Sequence, residues 1–328
     1  MKLAISAIYK NEANHITRWL DALQPELKPG DSITVLDTGS TDGGDRLFAL
    51  RGVSSHHATI SPWRFDVARN LALALAPGNA DAVWALDLDE VPQPGWRDAI
   101  EGAWHDGLHR LRYKFIWSHQ ANGDPGVVFW ADKLFARHGA IWRGVAHEWL
   151  AFPGVDNEQQ LFVDGLVVHH YQDTSIDRGT RDLDLMERAV ADMPNDARLR
   201  LYYARQLYFM GDQAHASEEY QRYLAHPDAV WRHERSEAML MLASMDGNEA
   251  WKRQWQYRAI AECPERREVW YDAARFEAAC GDLALAIVFL ERCAGLPDEE
   301  YYLSRPEVRG DGPARLRREI KARLYEGS

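Results

Sequence analysis

Gly211, Gly247 and Gly281 recur at a nearly constant spacing, and so do Pro227, Pro264 and Pro297. Two different chain breakers sharing one period of about 34 residues point to a helical repeat array in the second half of the chain. Between the breakers, apolar spacing predicts three helix pairs: 197–209 with 212–225, 231–245 with 249–262, and 267–279 with 282–293. Glycine supplies the turn inside each pair and proline stops the second helix. One such pair cannot bury its own apolar face, so neighbouring pairs stack. The first is the clearest copy, with Leu201, Tyr202, Ala204, Gly211, Ala216, Tyr220 and Tyr223. Near the end, Leu316, Ile320 and Leu324 form one stripe among arginines, the pattern of a capping helix rather than a nucleic-acid arm.

The first half obeys another rule. Short β-type runs at 3–9, 32–36, 53–60 and 82–86 alternate with amphipathic stretches at 14–23, 42–50 and 63–76. Strand–helix alternation at this spacing predicts parallel pairing through right-handed crossovers. Beyond position 107 β-type runs take over, at 108–117, 126–135 and 161–169. The chain therefore reads as an α/β domain over 1–174 and an all-α domain over 175–328.

Charge disfavours one mode of binding. The net charge is −12; positions 1–174 hold 15 basic and 22 acidic side chains, and the rest hold 23 and 28. Neither half is a polycation that would grip nucleic acid non-specifically. No apolar run approaches the roughly 20 residues of a membrane span. The start, Met1-Lys2-Leu3-Ala4-Ile5, has no signal-peptide design, and Cys263, Cys280 and Cys293 have no metal-ligand spacing. A cytoplasmic protein with reduced core thiols is the expectation.

In sheets of this kind ligands bind beyond the carboxyl ends of the strands. Three polar clusters fall there: Lys10-Asn11-Glu12, Asp37-Thr38-Gly39-Ser40 and Asp87-Leu88-Asp89-Glu90. Asp87 and Asp89 follow a buried-looking strand, and paired hard oxygen ligands suit Mn2+ or Mg2+ on a diphosphate. Asp37 ends an apolar strand, where it can accept from a base or ribose, while Ser40 or Thr41 can cap the next helix. Arg69, on the stretch 63–76, is the candidate for touching a nucleotide; a solvated helix arginine is the competing account. His147 and Glu148 lie between Trp142 and Trp149, which can desolvate the carboxylate for work as a general base. An ion pair with Arg143 would instead make Glu148 a loop brace. His169 and His170 end the run 161–168; neighbours on a strand face opposite ways, so at most one is expected as a ligand.

Taken in order, these motifs resemble the family-2-like glycosyltransferases of the GT-A fold, in particular members fused to tetratricopeptide repeats. Ile8-Tyr9-Lys10-Asn11-Glu12 is similar to that family's opening Y-N-E strand end. Leu36-Asp37-Thr38-Gly39-Ser40-Thr41-Asp42-Gly43 is similar to its D-D-G-S-x-D turn, Ala68-Arg69-Asn70 to its A-R-N helix, and Asp87-Leu88-Asp89-Glu90 to its metal-binding D-x-D. Val145-Ala146-His147-Glu148 and Val167-Val168-His169-His170-Tyr171-Gln172-Asp173 look like the H-E and H-H-x-D elements of the repeat-fused subgroup. The resemblance covers positions 1–175 and, more loosely, the repeats. It implies a GT-A (Rossmann-like) nucleotide-sugar domain followed by a tetratricopeptide-like domain. It further implies that Tyr9, Glu12, Asp37, Arg69 and Asp87 surround a nucleoside-diphosphate sugar, with Asp37 on the base and Asp87 on ribose or metal. Asp89 and His169 would hold the divalent metal. Such enzymes typically invert, using a carboxylate base; the second acid of D-D-G-S is Thr38 here and the family's E-D base motif has no clean counterpart. Glu148 is the substitute, with His147 as its rival.

The acceptor of such an enzyme could be a peptide or protein, a glycan, or a modified nucleobase in DNA. Two other classes compete. A nucleotidyltransferase would want a Gly-rich loop after the first strand, where Ile8-Tyr9-Lys10-Asn11 has no glycine. A repeat-based binding scaffold with an inactive first domain is opposed by the intact Asp-x-Asp and the histidines downstream.

Overall fold

The computed structural model describes residues 1–120, 122–172, 179–245, 247–297 and 303–326. The chain divides into two compact units, Met1–Asp177 and Arg178–Ser328.

The first unit runs β1 (Leu3–Tyr9), α1 (Ala13–Leu23), β2 (Ser32–Asp37), α2 (Gly44–Leu50), β3 (Ser55–His57), α3 (Phe65–Leu75), β4 (Ala82–Ala85), β5 (Glu90–Pro92), α4 (Trp96–Ala103), β6 (Arg110–Ile116), β7 (Val128–Ala136), β8 (Ile141–Arg143), β9 (Trp149–Ala151) and β10 (Gln160–His170). Eight strands form one mixed sheet in the order β3-β2-β1-β4-β7-β6-β10-β5, and β8 pairs with β9 apart from it. β3, β2, β1 and β4 are mutually parallel, as their helical crossovers require, while β7 enters antiparallel between β4 and β6. β1 is buried at all seven positions because it has a strand on either side and helices over its faces; it reads as a continuous apolar run instead of an alternating one. α1 turns His15, Ile16, Trp19, Leu20 and Leu23 inward, a helical stripe that packs Trp19 edge-on to Phe48 of α2. Trp84 of β4 anchors the middle of the sheet against Trp96 and Tyr113. α4 turns Trp96 and Ile100 into the core and is further tied by a buried ion pair: Arg97 Nε donates to Asp31 Oδ2 at 2.6 Å, with both side chains almost fully enclosed.

The second unit comprises α5 (Gly179–Asp192), α6 (Ala197–Phe209), α7 (Gln213–Ala225), α8 (Arg232–Ser244), α9 (Glu249–Glu262), α10 (Arg267–Cys280), α11 (Leu283–Ala294), α12 (Pro306–Arg309) and α13 (Gly312–Glu326). The three helix pairs read from the glycine and proline period stand at α6–α7, α8–α9 and α10–α11. Asp212, Asn248 and Asp282 cap the second helix of each pair through a side-chain oxygen. Gly211 and Gly281 take positive φ in the turns before those caps, which is why glycine recurs there. Leu201, Ala204, Tyr220, Leu242 and Ala259 form the core of the array. α13 buries Ile320, packs Leu316 beside it and leaves Leu324 exposed. The expected set of core thiols needs one correction: Cys263 and Cys293 are buried, but Cys280 is exposed at the end of α10.

Among the described residues no helix is long and apolar enough to cross a membrane. Asp173, the acid of the H-H-x-D stretch, lies outside the described residues.

Candidate functional site

β1, β2 and β4 run parallel, so their carboxyl ends open on one edge of the sheet. The first two ends are stitched together. The Asn11 N–H donates to Ser40 Oγ (2.9 Å), its side-chain oxygen accepts from the Thr41 N–H (2.7 Å), and the Ala13 N–H donates to Asp42 Oδ2 (2.8 Å). Asn11 has φ 56°, a left-handed conformation that asparagine tolerates. Glu12 then starts α1, its carbonyl accepting from the His15 N–H.

Asp37 is buried. Its Oδ1 accepts the N–H groups of Gly39 (2.9 Å) and Ser40 (2.7 Å), and Oδ2 stands 3.2 Å from His57 Nδ1. Burial opposes its charge, but the hydrogen bonds from Ser40 and Gly39 and the nearby His57 ring hold the carboxyl below the usual carboxylate range. Gly39 at φ +110° is the residue that turns those amides onto it. Part of the reason an acid ends this apolar strand is therefore local. Tyr9 needs a correction: it is 2% exposed, its ring packs on Phe48 and its hydroxyl pairs with Ser55 Oγ, so it belongs to the core and not to the open edge. Burial pushes its hydroxyl up to about 12.

The end of β4 carries a buried charge cluster. Ala68 and Ala72 let α3 lie close on Ile8 and Leu36, which brings Arg69 to this end. Arg69 Nη1 and Nη2 donate to both oxygens of Asp87 (2.9 and 3.0 Å), and its Nε donates to Glu148 Oε1. Its guanidinium also lies 5.2 Å from the Trp142 ring centre. The adjacent Asn70 clasps the backbone of Trp142 through both amide atoms, at 2.8 and 2.9 Å. Lys133 of β7 donates to Asp87 Oδ2 (2.9 Å) and to Glu90, whose Oε2 accepts the Asp87 N–H (3.0 Å). Burial works against charge on Asp87, but Arg69 and Lys133 outweigh it and hold its carboxyl well below the usual range. At Glu90 burial wins; in spite of Lys133, and with repulsion from Asp87, the carboxyl is pushed up to about 7.

Two expectations change here. Arg69 is engaged by two carboxylates inside the protein, so it is neither a solvated arginine nor an outward nucleotide contact. Glu148 is braced by Arg69, from a distant part of the sequence, and not by Arg143. Gly144, at φ +106°, folds the loop tightly enough that a Cβ there would stand 3.0 Å from Trp149, and this turn returns Glu148 to Arg69. His147 has φ 49° and an exposed side chain beside it.

Asp89 meets a histidine from β10, and it is His170. β10 pairs antiparallel with β5 so that His170 lies opposite Glu90 and His169 opposite Val91. His170 Nε2 is 3.2 Å from Asp89 Oδ2 and its Nδ1 3.2 Å from the Trp117 carbonyl, while the Tyr171 N–H donates to the Asp89 carbonyl (2.8 Å). Burial alone would lower the His170 ring, but Asp89 and Glu90 raise it above the ordinary histidine value. His169 points elsewhere, to Gln93 (2.8 Å) and to His119 (2.9 Å), on whose ring it stacks. Alternation says that one of the two faces the acids; only the register on β5 says which.

Among the described residues no three His, Cys, Asp or Glu side chains form a ready metal cluster. The Asp89–His170 pair still fits a divalent cation. Ligands about 2.1 Å from an octahedral metal stand about 3 Å apart, and the observed 3.2 Å separation matches. A carboxylate oxygen and an imidazole nitrogen suit Mn2+ or Mg2+ whose remaining positions a diphosphate would fill.

Lys133, Glu90, Asn11 and His57 complete the arrangement. The sequence marks Glu90 only as the neighbour of Asp89 and gives no sign of Lys133, which reaches the cluster because β7 pairs with β4.

No protein-family model matches the chain, and no curated protein matches it either. Solved structures do resemble it. Glucosyl-3-phosphoglycerate synthase from Mycobacterium tuberculosis, solved with Mn2+, uridine diphosphate and phosphoglyceric acid, is 16% identical with a TM-score of 0.41, covering 58% of this chain and 76% of that one. The tetratricopeptide protein TTC0263 from Thermus thermophilus is 20% identical at a TM-score of 0.34, covering 46% of this chain and 81% of that one. A MamA protein is 17% identical at 0.32, covering 45% and 82%. None of these superpositions reaches a TM-score of 0.5. The strand order, the parallel β3-β2-β1-β4 set and the three helix pairs themselves give the α/β first unit and the helical-repeat second unit read from the sequence.

Proposed function

We propose that the first unit is a divalent-metal-dependent glycosyltransferase using a nucleoside-diphosphate sugar. The observation that carries this reading is the Asp89–His170 pair, at 3.2 Å, on the same sheet edge as the β2 end bearing Asp37. Asp37 and the stitched loops after β1 and β2 receive the base and ribose. Asp89 and His170 hold the metal, which when bound neutralises the departing diphosphate. Asp87, locked by Arg69 and Lys133, fixes the backbone from which Asp89 projects. Glu148, aimed by Arg69, takes the proton as an acceptor oxygen bonds to the sugar's C1 and the C1–O bond to the diphosphate breaks, its electron pair leaving with the diphosphate.

The test is Asp89→Ala. The substitution removes a partly exposed oxygen ligand and no core volume. Hydrolysis of UDP-, GDP- and dTDP-sugars in Mn2+ is the assay, with calorimetry of nucleoside diphosphate binding beside it. The expected result is loss of turnover and of the Mn2+-dependent part of nucleotide affinity, with an unchanged melting curve. Undiminished turnover in EDTA or in Asp89→Ala would sink the metal-dependent reading.

A further inference from the structure

One large ring beside the site has no role in the scheme above. Trp117 follows β6 and is 46% exposed. Its backbone is held on both sides: its N–H donates to the Val127 carbonyl (2.8 Å), and its own carbonyl meets His170 Nδ1. Phe115, His170 and Trp117 form a graded row, Phe115 enclosed, His170 between, and Trp117 outermost, with centroid separations of 5.6 and 6.4 Å and tilts of 32° and 31°. His170 is the ring that the indole meets; among the described residues no other ring or cation packs on it. Tyr171, the other half-exposed ring nearby, is already sandwiched between Arg18 (4.3 Å) and His119 (5.3 Å, 10°).

Isolated exposed apolar residues are ordinary. This one is a rigid aromatic one side chain away from Asp89, continuous with the site and open on its outer side, which is how ligand sites present a flat apolar surface. What surrounds it selects the ligand. From Trp117 to Gly126 the sequence reads Trp-Ser-His-Gln-Ala-Asn-Gly-Asp-Pro-Gly, with one acid and no lysine or arginine. Neutral amides and a hydroxyl match the hydroxyls of a sugar, and this stretch itself carries no lysine or arginine to neutralise a phosphodiester backbone.

Taking the transferase reading as its basis, we propose that Trp117 is the stacking platform for a neutral saccharide acceptor. The apolar face of the acceptor's sugar ring lies on the indole, and its hydroxyls meet the polar side chains that follow it at 118–120.

Saturation-transfer NMR on the full chain, with methyl β-glucoside, methyl α-mannoside and methyl β-galactoside as probes, reads binding without turnover. At least one glycoside should show ring-proton contact in the wild type, lost in Trp117→Ala and partly kept in Trp117→Phe. Trp117→Phe keeps a ring and serves if the alanine variant melts early. With the same glycosides as acceptors, Trp117→Ala should raise the acceptor KM about tenfold, the loss of one stacking contact, with kcat little changed. Glycoside contact equal in the wild type and Trp117→Ala would overturn the assignment. So would a wild type that hydrolyses a nucleotide sugar yet contacts no glycoside, or that transfers to a peptide or to hydroxymethylated DNA instead; each outcome leaves the transferase reading standing. A wild type that hydrolyses no nucleotide sugar would overturn the acceptor assignment together with the transferase reading.

Discussion

Arg69 shows how much one side chain can organise. Its guanidinium holds Asp87 with two hydrogen bonds and Glu148 with a third, joining α3, the end of β4 and the loop before β9. Replacing it with alanine leaves Asp87, Glu90 and Glu148 buried with Lys133 as the remaining cation, and breaking a buried pair of this kind costs about 3–5 kcal/mol. Urea unfolding of Arg69→Ala should show a loss of that size; a loss under about 1 kcal/mol, the scale of exposed pairs, would mean the cluster is not cohesive. Glu148→Gln separates its two possible roles. If Glu148 accepts the proton, kcat falls by about 10²–10⁴-fold with donor affinity kept, because the amide still accepts from Arg69. A smaller fall in Glu148→Gln with a large one in His147→Ala would hand the role to His147. Nothing near either residue in the sequence names Arg69 as the partner of Glu148, since the pair joins distant parts of the chain and exists only once α3 docks against the 142–148 loop. Tyr9 shows the converse: a strand-end aromatic reads the same whether it faces ligand or core.

At the scale of elements, legibility followed the range of the forces involved. β1, β2, β4 and the three helix pairs were readable because local periodicity and punctuation specify them. β3, expected over 53–60, shortens to Ser55–His57 at the sheet's edge, where one partner strand supports it. α4 was hard to read because it is short: its apolar stripe is only Trp96 and Ile100 with two alanines, and its other hold on the fold is a long-range pair, Arg97 with Asp31. The chemistry of His169 and His170 was readable down to the pair and no further, because the face is decided by the register of β10 on β5, two strands that lie far apart in the sequence. The Arg97–Asp31 pair carries a pH consequence. Burial opposes the charge of Asp31, but Arg97 and the N–H groups of Lys28 and Leu3 bring its carboxyl below the usual value. A depressed carboxylate stabilises the fold at pH above the unfolded aspartate value near 4, and this contribution drains away as pH falls through the folded value. Asp31→Asn should therefore destabilise the first unit at pH 7 by about 3–5 kcal/mol, as expected for a broken buried pair, and the gap from wild type should narrow in acid. A gap independent of pH would remove Asp31 from the account.

On the scale of the whole molecule, each unit has its own buried cluster, one centred on Trp84 and the other on Leu201, Tyr220 and Leu242. Leu242→Ala in α8 removes a fully buried side chain and should cost about 2–5 kcal/mol, as core cavities usually do. Denaturation followed by circular dichroism at the helix band is the measurement, and a cost below about 1 kcal/mol would show that the array relaxes around the gap. Adding Mn2+ with a nucleoside diphosphate stabilises only what binds it, so the ligand-dependent rise in melting temperature should survive Leu242→Ala. The closing helix has one more implication. α13 inserts Ile320 among Leu290, Cys293 and Val308, so the side of α11 that carries Leu290 and Cys293 is already covered. Replacing Ile320 with a charged residue should therefore uncover this flank and loosen the α10–α13 end first, read as faster amide exchange there than in α6–α9.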